Sequence, residues 1–117
     1  MAWNHRETGG VVILDLPVFL RSDEELNRFC QTISALIDSG KNKLIVDFHR
    51  VTLINSAGIA HLLRGVQDAR DRGGDVKAIR LQPAVRDLFQ YAGLFTKIDL
   101  LTNEEEAVEK FQRISCL

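Results

Sequence analysis

The sequence predicts an α/β fold in which a central, mixed but mostly parallel β-sheet is covered by about four α-helices. Short apolar runs alternate along the chain with longer segments whose apolar residues recur at helical spacing. The connections between these segments are short, and strands that alternate with helices are typical of a parallel sheet. With 117 residues, 45% of them hydrophobic, the chain has the size of one core. A single domain over residues 1–117 is therefore expected.

The N-terminal region predicts an antiparallel hairpin at one edge of the sheet. Residues 3–8 form one extended run, and residues 11–16 form the next. Gly9 and Gly10 lie between the runs and tolerate the positive φ angles of a tight turn. Trp3 is interpreted as an anchor of the edge strand. The second run is almost continuously apolar, as expected of a strand that is covered on both faces.

The helices and strands after the hairpin are predicted from apolar spacing and from capping signals. Ser22 and Glu25 have the spacing of a capping box, so the first helix begins at Ser22, and Gly40 ends it. The complete order is ββαβαβαβα. The later elements are a strand, helix, strand, helix, strand and helix, expected over residues 43–48, 56–72, 76–81, 83–92, 98–101 and from Asn103 onward.

Three charged residues at strand ends receive structural interpretations. Lys77 and Arg80 are three positions apart in one strand, so we expect them on opposite faces of the sheet. Both lie near the ends of that strand, where a long side chain reaches water. Asp47 ends a central strand, and we expect it to accept hydrogen bonds from loop amides.

A response-regulator receiver would also carry an acid at the end of a central strand. Such a domain has further acids after its first strand and a lysine after its last. Here Asp15 stands alone, and Thr102 follows the last strand. The receiver interpretation is therefore rejected.

Composition excludes several other classes. A net charge of −1, with charges of mixed sign, argues against a disordered acidic tail and against a nucleic-acid partner. No apolar run approaches the ~20 residues of a membrane span, and the first residues lack an apolar signal segment, so we expect a cytoplasmic protein without membrane insertion. The sequence positions of Cys30 and Cys116 suggest different environments, so both are expected to be reduced thiols.

The sequence carries no motif for catalysis or for a cofactor. Its histidines do not cluster, and no His or Cys pair has the spacing of a zinc site, so no metal site is expected. A GxxxxGK[ST] phosphate loop is missing, and Ser56 lacks the GxSxG turn of a hydrolase nucleophile. We therefore expect no enzyme activity, no catalytic residue and no cofactor.

Residues 55–59 mark the point where a loop enters a helix. Asn55 or Ser56 can cap this helix, since a side-chain oxygen accepts an amide of the first turn. Gly58 costs about 1 kcal/mol relative to alanine inside a helix, which suggests a packing or surface requirement. From these residues alone, an ordinary capping serine is the favoured interpretation of Ser56.

Three blocks of the sequence resemble the STAS domains of anti-sigma factor antagonists. Residues 46–59 resemble the family's strand, small loop and Asp-Ser-[Ser/Thr/Ala]-Gly-[Leu/Ile] helix start. Residues 73–76 resemble its glycine pair before a strand, and residues 83–95 resemble its Pro-x-Val-x-x-Leu-Phe-x-x-x-Gly-Leu-Phe block. The blocks occur in the family's order, and the resemblance covers roughly residues 9–111.

The resemblance implies a STAS-like fold and a partner-switching regulator that catalyses nothing itself. Such a protein binds an anti-sigma factor serine kinase and thereby releases a sigma factor. The kinase ends the interaction by phosphorylating a serine, here Ser56, and a phosphatase restores it. A weak homodimer is also expected. The implied partner-binding residues are Val18, Phe19, Arg21, Asn55, Ser56, Ala57, Gly58 and His61, the last expected on the exposed side of its helix.

Three of the implied docking positions differ from the family pattern. Asn55 stands where the family usually has Asp, Val18 where a glycine is common, and Arg21 where an acid is common. The docking surface has therefore lost negative charge and gained positive charge. STAS domains also serve transporters and lipid-trafficking complexes without serine phosphorylation, and this is the alternative function.

Overall fold

The computed structural model describes the backbone of residues 4–115 and the side chains of residues 4–112. Trp3 and Cys116, with the roles expected for them, lie outside the described residues. The strands are β1 (His5–Thr8), β2 (Val11–Asp15), β3 (Phe19–Leu20), β4 (Lys43–Asp47), β5 (Leu53–Ile54), β6 (Asp75–Ile79) and β7 (Leu100–Leu101). The helices are α1 (Asp23–Asp38), α2 (Ser56–Asp71), α3 (Pro83–Tyr91) and α4 (Glu104–Ser115), with a 3₁₀ turn at Leu94–Thr96.

Five of the strands form one mixed sheet in the order β1-β2-β4-β6-β7. β1 pairs with β2 in the antiparallel sense, and the other neighbours pair in parallel. Gly9 and Gly10, which connect β1 to β2, have φ angles of 58° and 80°, a conformation that suits glycine. The predicted α/β class, the edge hairpin and the mostly parallel sheet are therefore confirmed.

A second, two-stranded sheet was not predicted. β3 and β5 pair in parallel, with Phe19 opposite Leu53 and Leu20 opposite Ile54. Both segments were expected to be loops, because a strand of two residues has no hydrophobic period to detect. This small sheet joins the loop after β2 to the loop that enters α2.

Apolar side chains cover both faces of the main sheet. In β2, Val12 and Leu14 belong to the cluster that packs against α1 and α2, whereas Val11 and Ile13 belong to the cluster that packs against α4. This two-sided burial explains the nearly continuous apolar run in the sequence. No helix within the described part of the chain is long and apolar enough to cross a membrane.

Lys77 does not reach water, contrary to the prediction. Its side chain is 1% exposed, and its Nζ donates to Asp75 at 3.0 Å and to Asp99 at 2.9 Å. The ammonium group also lies 4.5 Å from the ring centroid of Phe111 on α4. The buried charge is therefore balanced by two carboxylates, as burial of an ammonium requires.

Arg80 lies on the same face as Lys77, so the predicted opposition of the two side chains is wrong. Arg80 has a left-handed φ of 57°, which ends the extended conformation of β6 after Ile79. Its guanidinium group pairs with Asp47, whose register partner Ile79 belongs to the α4 cluster. Side chains alternate between the two faces only where the backbone stays extended.

A candidate docking site at the start of helix α2

Asn55, and not Ser56, caps α2. The Oδ1 atom of Asn55 accepts the Gly58 N–H at 2.9 Å, while the Asn55 backbone carbonyl accepts the Ile59 N–H at 3.1 Å. Asn55 has the extended backbone of an N-cap residue, with φ −98° and ψ 177°. The structure therefore decides between the two caps that the sequence left open.

Ser56 is the first residue of α2, and its side chain is exposed. Its hydroxyl group makes no hydrogen bond with any residue in the part of the chain that the structure describes. Ala57, the next residue, is also exposed. The start of α2 thus presents an unengaged hydroxyl group at the positive end of a helix.

Asn55 also fastens the two loops of this region to each other. Its Nδ2 atom donates to the Arg21 carbonyl at 3.1 Å, and its backbone N–H donates to the Leu20 carbonyl at 3.2 Å. Both bonds join positions far apart in the chain. One amide side chain therefore caps α2 and holds the segment after β3 beside it.

Gly58 is required by the close packing of these loops. A Cβ atom added at Gly58 would lie 2.7 Å from Cγ1 of Ile54 and 3.2 Å from the Leu20 carbonyl oxygen. Gly58 is buried, so its effect on docking would come through the packing of the loops. The packing requirement that the sequence suggested for Gly58 is therefore its close approach to Ile54 and Leu20.

An apolar ridge lies beside the start of α2. We use "the ridge" for Val18, Phe19 and Leu53, whose exposed fractions are 37%, 41% and 41%. The guanidinium carbon of Arg21 lies 4.5 Å from the ring centroid of Phe19, within cation–π distance. Leu53 was not among the predicted partner-binding residues, since only the pairing of β3 with β5 places it opposite Phe19.

His61 is half-buried rather than exposed as expected. Its Nδ1 atom is buried and has no hydrogen-bond partner among the described residues. The expectation rested on its angular distance from Ile59 alone. It was wrong because α2 packs both against α1 and against β6, so that its buried stripe is wider than one row of residues.

A polar cluster lies at the carboxyl ends of β2 and β4. One ligand-type atom from each of Asp15, Asp47 and His49 lies within 4.8 Å of the others. Asp47 accepts the His49 N–H at 3.0 Å, which confirms its predicted bond to a loop amide. Arg80 Nε donates to the same carboxylate at 3.2 Å.

The Arg80 guanidinium neutralises the Asp47 carboxylate of this cluster. Burial would raise the pKa of the Asp47 carboxyl group, but hydrogen bonds from Arg80 and His49 outweigh burial and hold that pKa below its usual value. Gln82 Nε2 donates to the His49 carbonyl at 2.8 Å. These bonds anchor the base of the loop that leads to β5 and the ridge.

Comparison with known proteins places this architecture in a family. A family model described as "Mlab, STAS domain" matches residues 7–102, most of the chain. The chain belongs to the STAS-domain family, as the sequence resemblance implied. BtrV of Bordetella bronchiseptica, named as an anti-sigma factor antagonist, is 26% identical over 80 residues, which are 68% of this chain and 69% of BtrV.

Solved structures share the fold over nearly the whole chain. A protein of Thermotoga maritima, also named as an anti-sigma factor antagonist, superposes with a TM-score of 0.85 at 18% identity and 94% coverage of both chains. The anti-sigma factor antagonist SpoIIAA in its unphosphorylated form superposes with a TM-score of 0.79 at 24% identity, covering 95% of this chain and 96% of SpoIIAA. SpoIIAA of Bacillus in its phosphorylated form gives a TM-score of 0.71 at 23% identity, covering 93% of this chain and 98% of SpoIIAA.

Proposed function

We propose that this chain is an anti-sigma factor antagonist that binds an anti-sigma factor serine kinase and is switched off by phosphorylation of Ser56. The observation that carries the proposal is the state of the Ser56 hydroxyl group, which is exposed and unbonded because Asn55 supplies the cap. A kinase can reach such a hydroxyl group without opening the helix. A phosphatase would reverse the modification.

The position of Ser56 suits a switch that acts at an interface and leaves the fold intact. A phosphate group adds about −1.5 to −2 charges, and a helix N-terminus favours anions by ~0.3–1 kcal/mol. The modified chain should therefore be as stable as the unmodified chain. Against a docked partner, the same phosphate would be a desolvated anion, whose burial is costly unless a cation meets it.

The docking surface consists of the ridge, Arg21 and the first two residues of α2, Ser56 and Ala57, which are exposed. Its members come from two loops that Asn55 holds together through the Arg21 and Leu20 carbonyl groups. Asn55 and Gly58 would therefore support docking through loop geometry. The chain itself would catalyse nothing, and purified protein incubated with labelled ATP should show neither hydrolysis nor self-labelling.

The test uses the anti-sigma-type serine kinases encoded in the same genome. Wild type should bind one of them and gain one phosphate, which mass spectrometry locates on Ser56. Ser56→Ala should bind the kinase and gain no phosphate, whereas Ser56→Asp should keep its melting temperature and lose binding. Ser34→Ala, at an exposed serine in α1, is the control and should behave as wild type. Phosphate at another residue, or an unfolded Ser56→Asp variant, would contradict the proposal.

The alternative is a STAS domain that serves a transporter or a lipid-trafficking complex without phosphorylation. The uncharged Asn55, where the family usually has Asp, favours this alternative. Under this alternative no serine kinase modifies the chain. Ser56→Ala and Ser56→Asp would then leave partner binding unchanged.

A further inference from the structure

The ridge is the main apolar surface at the Ser56 end of the molecule. Five large hydrophobic side chains are exposed in the described part of the chain, and three of them form the ridge. Phe19 and Leu53 lie directly opposite each other across β3 and β5, so their side chains are on the same face of the small sheet. Burial of such a patch by a partner is favourable, because apolar surface is removed from water.

Arg21 supplies a positive charge next to the ridge, and although this charge helps to lower the pKa of the nearby Glu25 carboxyl group, it is not held in an ion pair. Its guanidinium group lies over Phe19, and no ion pair joins it to a carboxylate of the described residues. The nearby Glu25 carboxylate is engaged in the capping box of α1, where it accepts the Ser22 N–H at 3.0 Å. Stacking on an aromatic ring leaves the N–H groups along the guanidinium edge able to bind an incoming carboxylate.

The start of α2 adds to this positive field. The first turns of α1 and α4 each contain three acidic residues, whereas the first turns of α2 and α3 contain none. Asn55 ties the Arg21 backbone to this helix start, so the guanidinium-bearing residue and the uncompensated helix end belong to one surface. Anions are favoured at such a helix end.

We infer that this surface takes a partner segment that places a carboxylate against Arg21 and an adjoining apolar side chain against the ridge. This inference rests on the proposed function, since it specifies the chemistry of the kinase surface that docks. It also gives the switch a physical mechanism. Phosphorylated Ser56 would repel the partner's carboxylate and compete with it for Arg21.

The first experiment uses peptide probes on the full chain. A capped Leu-Glu-Leu peptide and a capped Leu-Gln-Leu peptide are titrated while NMR signals of Phe19, Leu53 and Arg21 are followed. The Glu peptide should bind at least about fivefold more tightly at low salt and lose this advantage at high salt, because exposed charges are screened. Arg21→Gln should abolish the advantage, and Arg21→Lys should keep part of it.

Arg64→Gln is the matched control, because Arg64 is exposed on α2 and forms no ion pair with the described residues. This variant should bind both peptides as wild type does. Equal binding of the two peptides by wild type, or signal changes away from the ridge, would overturn the inference. Absence of any peptide binding at millimolar concentration would overturn it as well.

The second experiment measures the affinity of the chain for the serine kinase that binds it under the proposed function. Arg21→Glu should weaken kinase binding about tenfold or more, since like charges brought together at an interface cost free energy. Unchanged or tighter binding by Arg21→Glu would overturn the inference while leaving the proposed function intact. If no kinase binds wild type, the proposed function fails, and the peptide titration still decides the chemistry of the surface.

Discussion

Two serines stand at neighbouring helix starts in this protein, and they are used differently. Ser22 is the N-cap of α1: its Oγ accepts the Glu25 N–H at 3.1 Å, and Glu25 in turn accepts the Ser22 N–H. Ser56 is the first residue of α2, and its hydroxyl group has no partner among the described residues. Asn55 performs at α2 the capping that Ser22 performs at α1.

The difference between Ser22 and Ser56 shows that a serine at the start of a helix does not always cap that helix. At α1, Ser22, Glu25 and the acidic first turn all stabilise the helix, and the Ser22 hydroxyl group is occupied by its hydrogen bond in the capping box. At α2 the Asn55 side chain both caps the helix and bonds across the loops, while the first turn carries no acid and its first two residues, Ser56 and Ala57, stay exposed. A free hydroxyl group at an uncompensated helix end is available to a second protein.

The largest expected effect is that of Asn55→Ala. Loss of the cap and of the bond to the Arg21 carbonyl should lower the free energy of unfolding by about 2 kcal/mol. Asn55→Asp keeps the oxygen that caps α2 but has no donor for that carbonyl, so it should cost less than Asn55→Ala. Urea unfolding of both variants checks this. Equal losses would show that the cap contributes nothing, whereas an Asn55→Asp variant as stable as wild type would show that the bond between the loops contributes nothing.

Gly58→Ala should have a smaller effect on stability. Contact of the new methyl group with Ile54 costs about 1–3 kcal/mol, and the gain in helix propensity returns about 1 kcal/mol. A net loss of about 1 kcal/mol is expected in thermal or urea unfolding. In the Ile54→Ala background the same change should cost less, because the closest atom has been removed. An identical cost in both backgrounds would exclude this contact as the cause.

The two serines themselves should respond unequally to truncation. Ser22→Ala removes a used cap and should cost about 1 kcal/mol, in the range measured for N-cap serines. Ser56→Ala removes an unbonded hydroxyl group, so its stability should stay within about 0.5 kcal/mol of wild type. Parallel urea unfolding of the two variants is the measurement. A loss at Ser56 as large as that at Ser22 would mean that Ser56 contributes to the cap.

The smallest expected effect is a difference in pH dependence between the two caps. Burial would raise the pKa of the Glu25 carboxyl group, but hydrogen bonds from Ser22 and Arg21 outweigh it and lower that pKa. A lowered folded-state pKa means that the stabilisation by Glu25 is present above the unfolded-state pKa and is lost as the pH falls through the folded-state value.

The cost of Glu25→Gln should therefore be measurable near pH 7 and should shrink below about pH 4, near the ordinary pKa of glutamate. The Asn55 side chain does not titrate, so the loss of stability in Asn55→Ala should be the same near pH 7 as below about pH 4. Unfolding of each variant and of wild type at the two pH values checks this. A cost of Glu25→Gln that does not change with pH would contradict it.

Features that depend on nearby residues could be read from the sequence. The capping box of Ser22 and Glu25, the Gly9-Gly10 hairpin and the alternation of strands with helices were all predicted and are present. Each feature depends on residues within a few positions of one another, so the local sequence determines it. The segment that resembles the STAS signature was likewise visible, and the family assignment agrees with it.

The tertiary structure alone decided how the candidate site is built. The bond from Asn55 to Arg21 spans 34 positions, as does the pairing of Leu53 with Phe19. The left-handed φ of Arg80, the burial of Lys77 between two acids and the half-burial of His61 also depend on partners supplied by the assembled fold. Within a regular helix or strand, local spacing determines the face on which a residue lies. The residues that it contacts on that face are determined by the packing of segments distant in the sequence.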